Sequence, residues 1–192
     1  MCIRDRYQAM VSISSYSKQE LIIHKLRHHI HSAAAEFAIS PEIAGGIILD
    51  ELQRRGFKDD IEEIIARILP RLVYWANWSI GMAQFKPKTA ELVYSELLDD
   101  YPRPVAIVRS LLDDALSCRL VAAYCRYIIN LWKPVYPQAE NTNIDQNGAR
   151  LLGTLYSLEA TGTWGVNDNP IFNDRGEGIV SSMPKIRQLI QD

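Results

Sequence analysis

Apolar residues recur at intervals of three and four along nearly the whole chain, and alternating runs of β-branched residues are missing. That spacing lines one face of a helix and cannot line one face of a strand, so it restricts the chain to an all-α fold. Helix punctuation falls between the periodic stretches. Ser17 with Glu20 has capping-box spacing and opens a helix to about Phe37. Ser40-Pro41 sets a capping residue before a first-turn proline, and Gly56 is expected to close that helix. Asp59 with Glu62, or Asp60 with Glu63, caps a third helix expected to reach about Leu72. Pro87 opens a fourth to about Leu98, and Pro104 a short fifth. Asp113 or Asp114 begins a strongly apolar helix ending before Pro134. Another is expected from about Ile144 to Glu159, and a short last one after Pro184. Two stretches read as irregular, Tyr74 to Lys86 and Ala160 to Ser182, and loops of that length inside domains are often functional.

With 192 residues and 47% hydrophobic content the chain suits one domain with a large core. A net charge of -2 gives no pull toward nucleic acid. No apolar run approaches the roughly 20 residues that span a bilayer, so no transmembrane segment is expected. No signal peptide is legible either. The opening MCIRDR matches no pattern downstream and reads as a translated sequencing adapter. Residues 1–16 are therefore expected to be a disordered or artefactual arm, and residues 17–192 the domain. Cys118 and Cys125, seven apart on one helix, stand roughly 10 Å apart, too far for a disulfide. They read as small buried residues, and Cys2 lies in the suspect arm.

The helix AGGIILDELQRRG, Ala44 to Gly56, carries a carboxylate on its greasy side. At 100° per residue Glu51 falls within roughly 40° of the centre of the face defined by Ala44, Ile47, Ile48 and Leu52, while Asp50 lies about 130° away. Apolar surroundings disfavour the ionised form, which is what a general acid near neutral pH requires. A salt bridge to a neighbouring arginine explains the placement equally well. Gly45 and Gly46 cost about 1 kcal/mol each in a helix relative to alanine, so another segment is expected to approach that backbone closely.

A second motif, ANWSIGMAQFKPKTA from Ala76 to Ala90, resembles the signature of the soluble lytic transglycosylases and goose-type lysozymes. Ser79, Gly81, Gln84, Pro87 and Ala90 fall on that pattern, and Glu51 in IILDELQ matches the family's catalytic glutamate near the end of the preceding helix. CRLVAAYCRYI from Cys118 is similar to a later core helix, and Tyr156 in LGTLYSLE to the family's tyrosine. Met82-Ala83 stands where Leu-Met is usual, Ser157 where Asn is common, and Glu159 where Gly is.

The resemblance implies a lysozyme-like helical domain with a substrate cleft and no cofactor. It implies cleavage of peptidoglycan at the β-1,4 bond between N-acetylmuramic acid and N-acetylglucosamine, Glu51 acting as general acid and base. A lytic transglycosylase needs only that carboxyl group. A hydrolytic muramidase needs a second one, and no Asp or Glu lies between Ala66 and Thr89. A lysozyme-fold protein that binds glycan without cutting it is the alternative.

Substrate contacts are expected from Ser79, Gly81, Met82, Gln84, Tyr156 and Trp78. Gln84 either bonds the sugar or braces its loop. Ser79 either bonds Glu51 or caps a turn. Tyr156 either orients Glu51 or packs. Trp75, Trp78 and Trp164 are cleft candidates, whereas Trp132 reads as core. His24, His28 and His31 share a helix face, but without helping acids or cysteines they read as solvated rather than as a metal site. The expected partner is the peptidoglycan strand, the expected state a monomer, and the compartment the family implies is periplasmic or extracellular.

Overall fold

The Ser17 side chain accepts from the Glu20 backbone N–H and Glu20 returns the bond to Ser17, so the first helix starts where its capping box dictates. The computed structural model describes residues 16–142 and 147–191. The expected arm, apart from Tyr16, and the expected helix start at Ile144 lie outside the described residues, as does Cys2. Among the described residues the chain is all-α: α1 (Lys18–Glu36), α2 (Pro41–Arg54), α3 (Phe57–Ile68), α4 (Pro70–Ala76), α5 (Pro87–Leu97), α6 (Pro104–Leu112), α7 (Asp114–Trp132), a 3-10 turn (Pro137–Glu140), α8 (Asn147–Ser157) and α9 (Asp174–Ile190).

The centre is α7. Asp113 caps it by accepting from the Leu116 N–H, and its residues Leu120 to Cys125 are buried on every side. A helix apolar all round belongs in the interior, and α1, α2, α5, α6 and α8 pack against it. Cys118 and Cys125 are free and buried on this helix, and burial pushes both thiols up to about 12. Such thiols stay protonated and unreactive.

The paired glycines of α2 are explained by α9. A Cβ on Gly45 would meet the Ile186 Cγ2 at 2.7 Å, and one on Gly46 the Ile179 Cγ2 at 3.2 Å. α9 thus lies directly on the backbone of the helix that carries Glu51.

Three helix boundaries differ from the sequence reading. Gly56 does not close α2; it stands at the N-cap of α3, where its N–H donates to Asp59 Oδ2 at 2.7 Å. The third helix does not reach Leu72, because Leu69 leaves helical geometry and Pro70 starts a separate helix. The last helix does not wait for Pro184 but begins at Asp174, with Asn173 accepting from the Gly176 N–H, and it carries Pro184 in its interior. An interior proline costs about 3 kcal/mol. Ile179, Val180, Met183, Ile186, Leu189 and Ile190 are all buried on this helix, and at roughly 1.5–3 kcal/mol each they outweigh it.

The histidine face is also not simply solvated. His24 Nδ1 lies 2.9 Å from the Leu189 carbonyl and His31 Nε2 3.1 Å from that of Ile190, so both engage the last carbonyls of α9. Among the described residues no group of three His, Cys, Asp or Glu side chains is placed to hold a metal ion.

Candidate active site

Glu51 sits in the last turn of α2 and is 8% exposed. It lines a cavity of about 270 Å³ together with Ser79, Gln84, Tyr124, Tyr156 and Arg175. Arg54, Arg55, Lys86, Asp59 and Glu159 supply the polar rim. Burial pushes the Glu51 carboxyl above the ordinary glutamate value; the Arg175 guanidinium opposes that rise, and the negative charge of Asp50 adds to it.

Arg175 is the residue that sequence reasoning missed. It reaches from the first turn of α9, donates to Glu51, and holds Asp50 through Nε at 2.8 Å and through its terminal nitrogen. Asp50, on the polar side of α2, also accepts from Arg54 Nε at 3.0 Å. One guanidinium thus joins the two neighbouring carboxylates of α2. A signal for it is present: Asn173 is an N-cap residue type followed by Asp174 and Glu177 in a first turn, which marks a helix start beside Arg175 inside a stretch that otherwise reads as irregular.

The segment between α4 and α5 forms the opposite wall. Ile80 and Phe85 pair as an isolated antiparallel bridge with N–O distances of 3.2 and 3.1 Å, which pinches residues 81–84 into a tight turn. Gly81 holds φ +74°, and a Cβ there would stand 2.0 Å from the Leu111 carbonyl oxygen, so only glycine lets this turn lie against the end of α6. Gln84, at φ +46°, lines the cavity, and its Nε2 donates to the Gly81 carbonyl at 3.1 Å. Its amide nitrogen therefore braces its own loop.

Tyr156 meets the loop from α8. Its hydroxyl donates to the Ala83 carbonyl at 2.9 Å rather than to Glu51. Burial raises the phenol well above its ordinary value, the Glu51 charge adding to the effect, so Tyr156 remains a neutral donor. Phe85, Tyr124 and Tyr156 form a cluster of edge-on rings with centroids 5.4 to 5.9 Å apart. Such contacts stabilise by roughly 0.5–1.5 kcal/mol beyond burial and fix the loop relative to α7 and α8.

Of the expected contact residues, Glu51, Ser79, Gln84 and Tyr156 line this cavity and three do not. Met82 is 7% exposed and belongs to the core; its side chain is turned inward by the tight turn. Gly81 is taken up by the contact with Leu111. Trp78 is half-buried and packs against the core. The Ser79 hydroxyl makes no bond to Glu51 among the described residues. Trp132 is core, with Nε1 donating to the Ala160 carbonyl at 2.6 Å. Trp75 and Trp164 are exposed outside the cavity, Trp75 edge-on to Tyr74 and Trp164 beside the loop that follows α8.

Asp59, which the sequence reading gives to a helix cap, and Glu159, which stands where the resembling pattern has Gly, both reach the rim. Asp59 is tied to the Gly56 N–H. Glu159 holds φ +63° and stands 3.7 Å from Lys86 Nζ. No family model matches the chain, and no curated protein matches it.

Proposed function

We propose that the chain is a lysozyme-fold lytic transglycosylase that cleaves peptidoglycan between N-acetylmuramic acid and N-acetylglucosamine, with Glu51 as general acid and base. One observation carries the reading. Glu51, Ser79 and Gln84, Tyr124, and Tyr156 come from the four separate segments that resemble the transglycosylase pattern, and all of them line a single cavity. The φ of +63° at Glu159 adds to this, since the resemblance has glycine there and that backbone region favours glycine.

In this mechanism the buried Glu51 donates its proton to the bridging oxygen, and an oxocarbenium-like state forms on the muramic sugar. Glu51 is then an anion. Arg175 is in place to stabilise it, and because Arg175 also holds Asp50 it keeps a partner whenever Glu51 is protonated. A group that must alternate between acid and base gains from a cation able to serve both states. The anion next takes the proton from the muramic 6-hydroxyl, closing a 1,6-anhydro ring. Gln84 Oε1 is the atom suited to accept from the acetamido N–H, Nε2 being committed to Gly81.

Digestion of purified sacculi tests this: 1,6-anhydromuropeptides are expected from the wild type and none from Glu51→Gln. Reducing muropeptides alone would instead assign hydrolysis with Asp59 or Glu159 as the second acid.

A non-cleaving glycan-binding protein is the second reading, favoured by the ion pair that ties up Glu51. Retention on sacculi without release of any muropeptide, unchanged in Glu51→Gln, would select it.

A further inference from the structure

One helix is packed inside out. On α3 Ala66 is buried, whereas Phe57, Ile61, Ile64 and Ile68 are 81, 41, 58 and 71% exposed. At 100° per residue these four large side chains fall within about 60° of one another. Two acids of α3 are turned the other way, Glu63 bonding Arg55 and Arg67 and Asp59 holding Gly56, while Asp60 lies on the flank of the apolar face. Leu72 and Trp75 of α4 are exposed as well, at 50 and 74%, Trp75 beside Lys88 of α5. A short helix with its greasy side in water has no tertiary packing to stabilise that side, and a continuous patch of this kind marks an interaction surface.

We propose that this face docks a second copy of the chain, α3 pairing antiparallel with its counterpart across a two-fold axis. The spacing of Phe57, Ile61, Ile64 and Ile68 is four, three and four, the seam of a coiled coil. Antiparallel pairing sets Phe57 against Ile68 of the copy and Ile61 against Ile64, so the seam is self-complementary, as an isologous contact must be.

The charges agree. Asp60 and Arg67 each precede a seam isoleucine on the same flank with opposite sign. Within the chain Asp60 accepts from Arg55 and Arg67 donates to Glu63, and the antiparallel pairing sets each beside the other across the axis as a further partner. Both side chains are exposed, 66 and 58%. The four exposed side chains of α3 supply only part of the roughly 800 Å² that each partner gives to a standard interface, so the contact is a weak, reversible one. A lipid surface fits less well, because α3 carries Asp59, Asp60, Glu62 and Glu63 against Lys58 and Arg67, whereas interfacial helices are rich in cations. The proposed dimer differs from the monomer expected from the sequence and does not depend on the enzymatic reading.

Sedimentation equilibrium of the full chain tests it. The wild type is expected to dimerise with a micromolar Kd, and Ile64→Glu to weaken the dimer by about 30-fold or more with circular dichroism and melting unchanged. Asp60→Arg is expected to weaken it too, and the double variant Asp60→Arg/Arg67→Asp to restore it. A wild type that stays monomeric at about 500 µM, or a dimer indifferent to Ile64→Glu and to the charge swap, overturns the proposal. A monomer that co-sediments with phosphatidylglycerol vesicles and loses this in Ile64→Glu overturns it in favour of a lipid surface.

Discussion

Glu51 and Arg175 set opposite demands on one proton. Burial favours the protonated carboxyl and the guanidinium favours the anion, with burial prevailing. A carboxyl raised in the folded state contributes most stability below its unfolded value, and that contribution is lost as pH rises through the folded value. Glu51→Gln is therefore expected to melt higher than the wild type at pH 7, by about 2–4 °C for each kcal/mol relieved, and the gap should close at pH 4. The same variant should lose about 10²–10⁴-fold in glycan cleavage.

Arg175→Gln removes the counter-cation, so the carboxyl rises further and the high-pH limb of the activity profile should move to more alkaline pH. A limb that stays put in pH–rate measurements would refute the role given to Arg175. At this scale Glu51 was legible, because helix phase alone places it among Ile47, Ile48 and Leu52. Its partner was not, since the pairing spans 124 positions and the local capping signal marks only the helix start beside Arg175, not what that arginine reaches. The role given to Met82 followed a motif's letters and that given to Trp78 its place in an irregular stretch, and both side chains pack against the core instead.

Among elements, the tight turn and α9 hold the two sides of the cavity, and their glycines behave oppositely. Gly81→Ala combines φ +74° with a Cβ 2.0 Å from the Leu111 oxygen, so it should destabilise by well over about 1 kcal/mol and displace Gln84. Gly178→Ala meets nothing within 4 Å in the interior of α9 and should stabilise by about 0.5–1 kcal/mol. Chemical denaturation of both variants checks the contrast. Most helix starts were legible because capping side chains and first-turn prolines act locally. Pro41, Pro87, Pro104 and Asp113 each open or cap a helix as expected, whereas the start of α3 at Phe57 and the separate helix at Pro70 were not foreseen. Pro184 was misread because the packing of α9 on α2 and α8 is a tertiary effect that overrides a local preference. The outward face of α3 was illegible for a related reason: periodicity shows that a helix has a greasy side, not which way it turns.

Across the whole molecule, ion pairs tie early helices to late ones. Lys185 lowers the Glu20 carboxyl and Arg119 that of Glu36, joining α1 to α9 and to α7. Depressed carboxylates contribute stability above their unfolded value near 4.3 and lose it as pH falls through the folded one. Melting temperature is expected to hold from pH 7 to about 5 and to fall steeply below 4, and high salt should flatten that fall. Fluorescence-monitored melts across pH 3 to 7 test it.

The anchoring of Glu51 by α9 also bears on biosynthesis. A ribosome releases α2 long before it makes Arg175, so every nascent chain passes through a stage in which the acid lacks its hydrogen-bonded cation and the glycines of α2 lack their contact with α9. A product that stops short of Asn173 would stay at that stage, so the pocket is readied only once α9 has been made.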